Sequence, residues 1–331
     1  MNQLDDVQQA ALRLIREDAR FLYSITKMYD SDVFGSHAML MLAPYISMFS
    51  DGSEQWGRKA GMDSPVFTEE ESAFHKKIRS SIKVFEKDYN AYSLELQTIL
   101  DETDSYFYET TGKIMRHFRY YNVGTDCYST NYCGNTVLCL SFFPMSINDL
   151  DKNSLIMKKM NIVSGKLAAF YIDPQQLQYS YDHSIRVQSK DYHFYKRCPL
   201  RLKNTLGLVL FSVLCNINFV TKYINDLFNE EIPQKFKFAY LQYYYLCNFL
   251  NSLRREEGCI LEIDRELYNK ELRNCIAHYG LKQYMTDNDL DLDDPLIGLT
   301  GKALGESYLD AKNHLYYILS NVCNQIKDII F

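Results

Sequence analysis

The sequence has no excess of positive charge: 36 Lys and Arg against 42 Asp and Glu leave a formal charge of -6 and a pI near 5.7. A polycation that coats nucleic acid without selectivity is excluded, so any contact with a phosphate backbone must be local. Paired cysteines are also missing. The nine cysteines stand singly, mostly among apolar neighbours as at Cys215, Cys247, Cys275 and Cys323, with no CxxC pair and no clustered histidines. That pattern excludes a disulfide framework and a zinc site of ordinary spacing, and it agrees with a reducing cytoplasm. An apolar leader is lacking too: MNQLDDVQQAALRLIRED carries early acids and helical periodicity where a signal peptide needs an apolar stretch, so secretion is not expected. The most apolar run, TLGLVLFSVLCNINFV from Thr205 to Val220, falls short of the roughly 20 residues that cross a bilayer and contains Asn216 and Asn218. It reads as a buried core helix of a cytoplasmic protein without a membrane span.

What is present suffices for one or two packed domains: 331 residues, 47% of them hydrophobic and 24% charged. Disorder is not expected. Tyrosine is abundant at 27 copies, including Tyr243, Tyr244 and Tyr245, which places some aromatics at interfaces or stacking surfaces and the rest at the core boundary. Residues 1–123 read as helical, with a break from Asp51 to Pro65 where Gly52, Gly57, Gly61 and Pro65 interrupt the pattern. The run from Thr68 to Thr103 opens on acids, carries apolar residues at helical spacing and suggests a long hairpin arm. Residues 124–198 change character. TVLCLSFF, KLAAFYI and QLQYSYDHSIRVQ are short β-branched or aromatic runs between Pro144, Gly165 and Pro174, which predicts a small sheet or an irregular insert. Residues 199–331 return to helical periodicity, with helices expected near 199–229, 235–256, 261–279 and 302–330 and junctions at Pro233 and Gly258. No internal repeat emerges. The expected fold is mainly α: a C-terminal bundle of four or more helices, a helical N-terminal region and a small β-containing middle segment.

The chemistry concentrates in ELRNCIAHYG, where Arg273, Asn274, His278 and Tyr279 interrupt an apolar stripe of Leu272, Cys275, Ile276 and Ala277. Asn274 and His278 are four apart and neighbour each other on one ridge, where the amide can orient the imidazole. Arg273 and His278 are separated by about 140° around an ideal helix, so one helix presents them at opposite edges and a partner helix must complete the pocket. Gly280 suits a C-cap that leaves His278 in the last turn, where the helix dipole favours the protonated ring.

On these residues the sequence resembles the HEPN family (higher eukaryotes and prokaryotes nucleotide-binding). Ribonuclease members of that family carry an Arg, four to six residues and then a His, very often with a polar residue directly after the Arg. Here the set is Arg273, Asn274, Cys275, Ile276, Ala277 and His278, and the resemblance extends over roughly residues 199–331 as a helical bundle. It implies a metal-independent endoribonuclease without cofactor, acting as a homodimer that brings two Arg/His sets across a two-fold axis. Arg273, His278 and Asn274 would be catalytic, with Tyr279, Lys270 and Lys282 contacting RNA. Attack by a ribose 2′-hydroxyl would leave 2′,3′-cyclic phosphate ends. Such nucleases commonly serve as toxins or phage-defence effectors held back until a protein or nucleic acid triggers them, and residues 1–198 are the candidate sensing part. The competing readings are a catalytically silent HEPN module that binds nucleotide or a protein partner, and a helical scaffold with a fortuitous motif, in which Arg273 pairs with an acid such as Glu266 and His278 is a polar edge of the bundle.

Other patterns carry less. Arg186 and His193 share the spacing but lie in an alternating stretch. Cys127, Cys133 and Cys139 recur every six residues and are ascribed to packing. Asp287, Asp289, Asp291, Asp293 and Asp294 lack the turn glycine and the bidentate Glu of a calcium loop and read as an acidic linker. GLTGKALGES has too few residues between Gly298 and Gly301 for a Walker loop, so Lys302 is no phosphate-binding lysine. His117 beside Arg116 and Arg119 forms a basic aromatic patch.

Overall fold

The computed structural model describes residues 4–31, 35–81, 87–118, 121–143, 153–173, 175, 178–291 and 294–331. Helix α1, Asp6–Ser31, opens on a reciprocal box in which Asp5 accepts the N–H of Gln8 and Gln8 accepts that of Asp5. Val7, Ala10, Ala11, Leu14 and Ile15 then bury one face of it. After α2, Gly35–Met41, helix α3 spans Ala43–Ala60 and passes straight through Gly52 and Gly57. The expected break at Asp51 is therefore corrected: the helix stops only at Gly61, whose left-handed φ of 69° closes it. Gly52 is a packing residue, not a breaker. A Cβ there would lie 2.6 Å from the carbonyl oxygen of Ala277, so its absence lets two helices approach closely.

The run from Thr68 forms α4, Glu69–Ser81, and α5, Tyr89–Thr110, with residues 82–86 between them outside the described residues. Helix α6, Lys113–Phe118, leads into a three-stranded antiparallel sheet of order β2-β1-β3, with β1 Val123–Tyr128, β2 Asn131–Asn135 and β3 Gln188–Tyr192. The middle segment thus holds a small sheet, but from other residues than two of the expected runs. TVLCLSFF folds as α7, Thr136–Ser141, because the Asn135 side chain caps it by accepting the Leu138 N–H at 2.8 Å. KLAAFYI is the end of α8, Asn153–Tyr171, where burial overrides β propensity. The described part of QLQYSYDHSIRVQ is largely loop, held by hydrogen bonds from Tyr179 to Ser24 and Glu17, from Ser180 to Glu230 and from Asp182 to Leu227, with an isolated β-bridge from Tyr181 to Phe228.

After the short α9, Phe194–Arg197, helix α10, Thr205–Asn218, is continued by a π turn over Phe219–Ile224 and by α11, Asn225–Leu227. This apolar element is almost wholly buried, packed against α5, β2 and α15, Tyr308–Ile330. Helix α12 spans Pro233–Glu257. The helix expected over 261–279 is shorter, running as α13 over Lys270–His278, since Asn269 caps its start by accepting the N–H groups of Glu271 and Leu272 at 2.9 Å. Helix α14, Pro295–Leu304, stands where the acidic linker was expected to lead directly into the last helix. The Asp residues of that linker are caps: Asp294 accepts the Leu296 N–H, Asp289 closes a box with Thr286, and Asp293 lies outside the described residues. The fold is mainly α with one small sheet. One apolar core runs through all three sequence segments, with no gap at Pro199.

Candidate functional site

Helix α13 buries Leu272, Cys275, Ile276 and Ala277 against α3, α12 and α14. That stripe is consumed inside the chain; burial pushes the Cys275 thiol up to about 12, which makes it an inert packing group. The outward ridge is Lys270, Asn274 and His278, four residues apart in turn, with Arg273 flanking it. Lys270 is exposed, while Arg273, Asn274 and His278 are half-buried. Asn274 makes no side-chain hydrogen bond among the described residues, so the amide does not hold the imidazole in this structure.

Arg273 points at α12. Its guanidinium carbon sits 5.1 Å from the centre of the Tyr244 ring and 5.8 Å from that of Tyr245, within reach of a cation–π contact. Tyr244 in turn stacks on Tyr268 at 4.5 Å with the rings 8° from parallel. Asn248 bonds the Tyr268 hydroxyl, and Arg265 lies over the other end of the cluster, 5.0 Å from the Tyr268 ring centre. Burial and the Tyr268 hydroxyl raise the Tyr244 phenol above its ordinary pKa, with Arg273 acting in the opposite sense. Among the described residues Arg273 has no carboxylate partner, and its Nε is buried without a hydrogen bond. Glu266, the acid proposed to pair with it, is exposed on the loop before α13. There it groups with Asp264 and His314, the latter bonded through Nδ1 to Glu306 at 3.1 Å. The tyrosine run at 243–245, with Asn248 one turn further along α12, was the sequence signal for this cluster; Tyr268 and Arg265 carried none, because only the loop from 261 to 269 brings them there.

Tyr279 and the lysines fall elsewhere. Tyr279, not Gly280, takes the left-handed position after α13, with φ 53°, and its ring is buried against Phe49 of α3. Its hydroxyl donates to Asp18, which also accepts from Gln234 at 2.8 Å and pairs with the buried Lys237. Burial and the Asp18 carboxylate push the phenol well above its ordinary pKa. Tyr279 thus anchors the end of α13 to α1 and α12 and offers no surface to a substrate. Lys282 is exposed beyond the helix and paired with Asp5.

The other candidates also resolve. Arg186 binds the carbonyl of Ile185 at 3.0 Å, whereas His193 lies 3.3 Å from Asp104, so the second Arg/His match is not one site. Gly298 could not bear a side chain, since its Cβ would overlap the carbonyl of Asp289, and Lys302 pairs with Asp289 at 2.5 Å. Arg116 lies over Tyr108 and donates to the Thr111 carbonyl; Arg119 lies outside the described residues. Comparison of the chain with family models, with curated proteins and with solved structures gives no match.

Proposed function

We propose that the protein is an endoribonuclease of HEPN type, acting on RNA without a metal through the outer face of α13 in a pair of two-fold related copies. The observation that carries this reading is the state of Arg273: a half-buried guanidinium held by tyrosine rings, without a carboxylate partner and with an N–H left unsatisfied. A buried donor of that kind is costly unless an acceptor arrives, and a phosphate oxygen supplies both the charge and the hydrogen-bond geometry. His278 lies at the other end of the same helix, and Lys270 continues the ridge with a second positive charge.

In the proposed reaction the ribose 2′-oxygen attacks the adjacent phosphorus and gives its proton to the imidazole of His278. The phosphorus–O5′ bond breaks, and the leaving oxygen takes a proton from the imidazolium contributed by the second copy. Arg273 stabilises the charge that builds on the phosphate oxygens. The biological role proposed is that of a toxin or anti-phage effector.

The test is incubation of the full-length protein with mixed RNA in EDTA. Cleavage should leave 2′,3′-cyclic phosphate ends and spare strands methylated at the 2′-oxygen. His278→Ala should lower the rate by roughly 10²- to 10⁴-fold. Arg273→Lys should fail as well, because an ammonium cannot reproduce the two-pronged guanidinium contact. Cleavage that needs magnesium or survives His278→Ala removes this reading, a magnesium-dependent activity pointing first to the Asp264, Glu266 and His314 group, and absence of cleavage leaves the silent binding module.

A further inference from the structure

A second concave site lies far from α13 in sequence, between the sheet and the chain that follows it. It encloses about 350 Å³ and is walled by Thr125 of β1, Tyr132 of β2, Lys190 and Tyr192 of β3, and Arg197 at the end of α9, with Tyr121 at its edge. The volume is within the range of small-molecule sites. The hydroxyls of Thr125 and Tyr192, residues only 1% and 5% exposed, face each other within its wall, out of reach of solvent. Lys190 and Arg197, both exposed, form no ion pair among the described residues.

We propose that this cavity binds a nucleoside monophosphate. The three tyrosines, Tyr121, Tyr132 and Tyr192, offer the ring surface on which a base stacks. Tyr132 is itself held flat by Phe331, 5.6 Å away and 18° from parallel, so its ring is ordered before a ligand arrives. Arg197 and Lys190 supply the charge for the phosphate. His193 also lines the cavity; burial lowers its pKa, with the nearby Asp104 acting in the opposite sense.

The experiment is calorimetric titration of the full-length protein with each of the four ribonucleoside monophosphates, with ribose 5-phosphate, with inorganic phosphate and with a 5′-phosphorylated oligoribonucleotide. At least one nucleotide should bind, and more tightly than ribose 5-phosphate or phosphate by roughly tenfold or more, the stacking contribution. Arg197→Ala and Lys190→Ala, both on the surface, should each weaken it by roughly tenfold or more. Arg273→Ala should leave affinity unchanged, which keeps this site distinct from the motif helix. Absence of binding by all four nucleotides, equal binding of ribose 5-phosphate, or binding of the oligonucleotide alone each overturns the proposal.

Discussion

Replacing Gly52 and Gly57 by alanine, one at a time, tests how the N-terminal region meets the motif helix. Both glycines lie in α3 and both are buried. Helix propensity alone makes each substitution stabilising by about 0.5–1 kcal/mol. At Gly57 nothing opposes that gain, since the nearest atoms to an added Cβ are carbonyl oxygens of Met62 and Asp63 at 3.6 Å, ordinary contact. At Gly52 the Cβ would lie 2.6 Å from the Ala277 carbonyl oxygen and 3.1 Å from the Tyr279 ring. The first is backbone and the second is pinned by Asp18, so neither yields cheaply. Overpacking of a rigid site costs about 1–3 kcal/mol. Taking mid-range values, Gly52→Ala should be destabilising by about 1 kcal/mol and Gly57→Ala stabilising by about 0.5–1 kcal/mol. The two variants then differ by roughly 2 kcal/mol, a factor near 30 in the folding equilibrium. Urea denaturation of the two variants and the parent, read as a change in midpoint at constant slope, measures this. Because Ala277 precedes His278, Gly52→Ala should also lower the RNA cleavage proposed above while Gly57→Ala leaves it intact. Equal stabilisation by both substitutions would refute the described contact between α3 and α13.

Asp18→Ala should cost about 3–5 kcal/mol by leaving Lys237 buried without its counter-ion, and the double variant Asp18→Ala with Lys237→Met should recover most of that in the same denaturation assay. A single-variant loss below 1 kcal/mol would mean that water reaches the pair. Asp289 is held down to about 2 by Lys302 and Thr286. A carboxylate with a depressed folded-state pKa contributes stability above its ordinary value, and that contribution is lost as pH falls from about 4 toward 2. Asp289→Asn should therefore flatten the acid limb of the stability profile in that window, and an unchanged limb would show the pair to be solvent-screened.

The mainly helical fold was legible because periodicity is local: α1, α12 and α15 bury apolar residues at the spacing their sequence shows, and α10 is apolar on every side because it lies at the centre. Signals failed where a neighbour decided the outcome. Gly52 looked like a breaker because its partner, the Ala277 carbonyl, is more than two hundred positions away; TVLCLSFF looked like a strand because the Asn135 cap and its burial were not visible. The boundary at Pro199 marked a change of residue pattern, whereas the core crosses it through Asp18, Lys237 and Tyr279.

For the candidate site, the sequence by itself determined that Arg273, Asn274 and His278 share one helix and that Arg273 and His278 lie on different edges of it, because the helical period fixes that. Only the tertiary structure decided what each side chain meets. Arg273 is held by Tyr244 and Tyr245 without an acid because α12 crosses on that side, and Tyr279 is withdrawn into the core, where its hydroxyl donates a hydrogen bond to Asp18 of α1. The cavity of Thr125, Tyr132, Tyr192, Lys190 and Arg197 left no mark on the sequence, since its walls come from three strands and a turn up to seventy-odd positions apart. Periodicity is a property of neighbours along the chain, but a pocket is a property of neighbours in space.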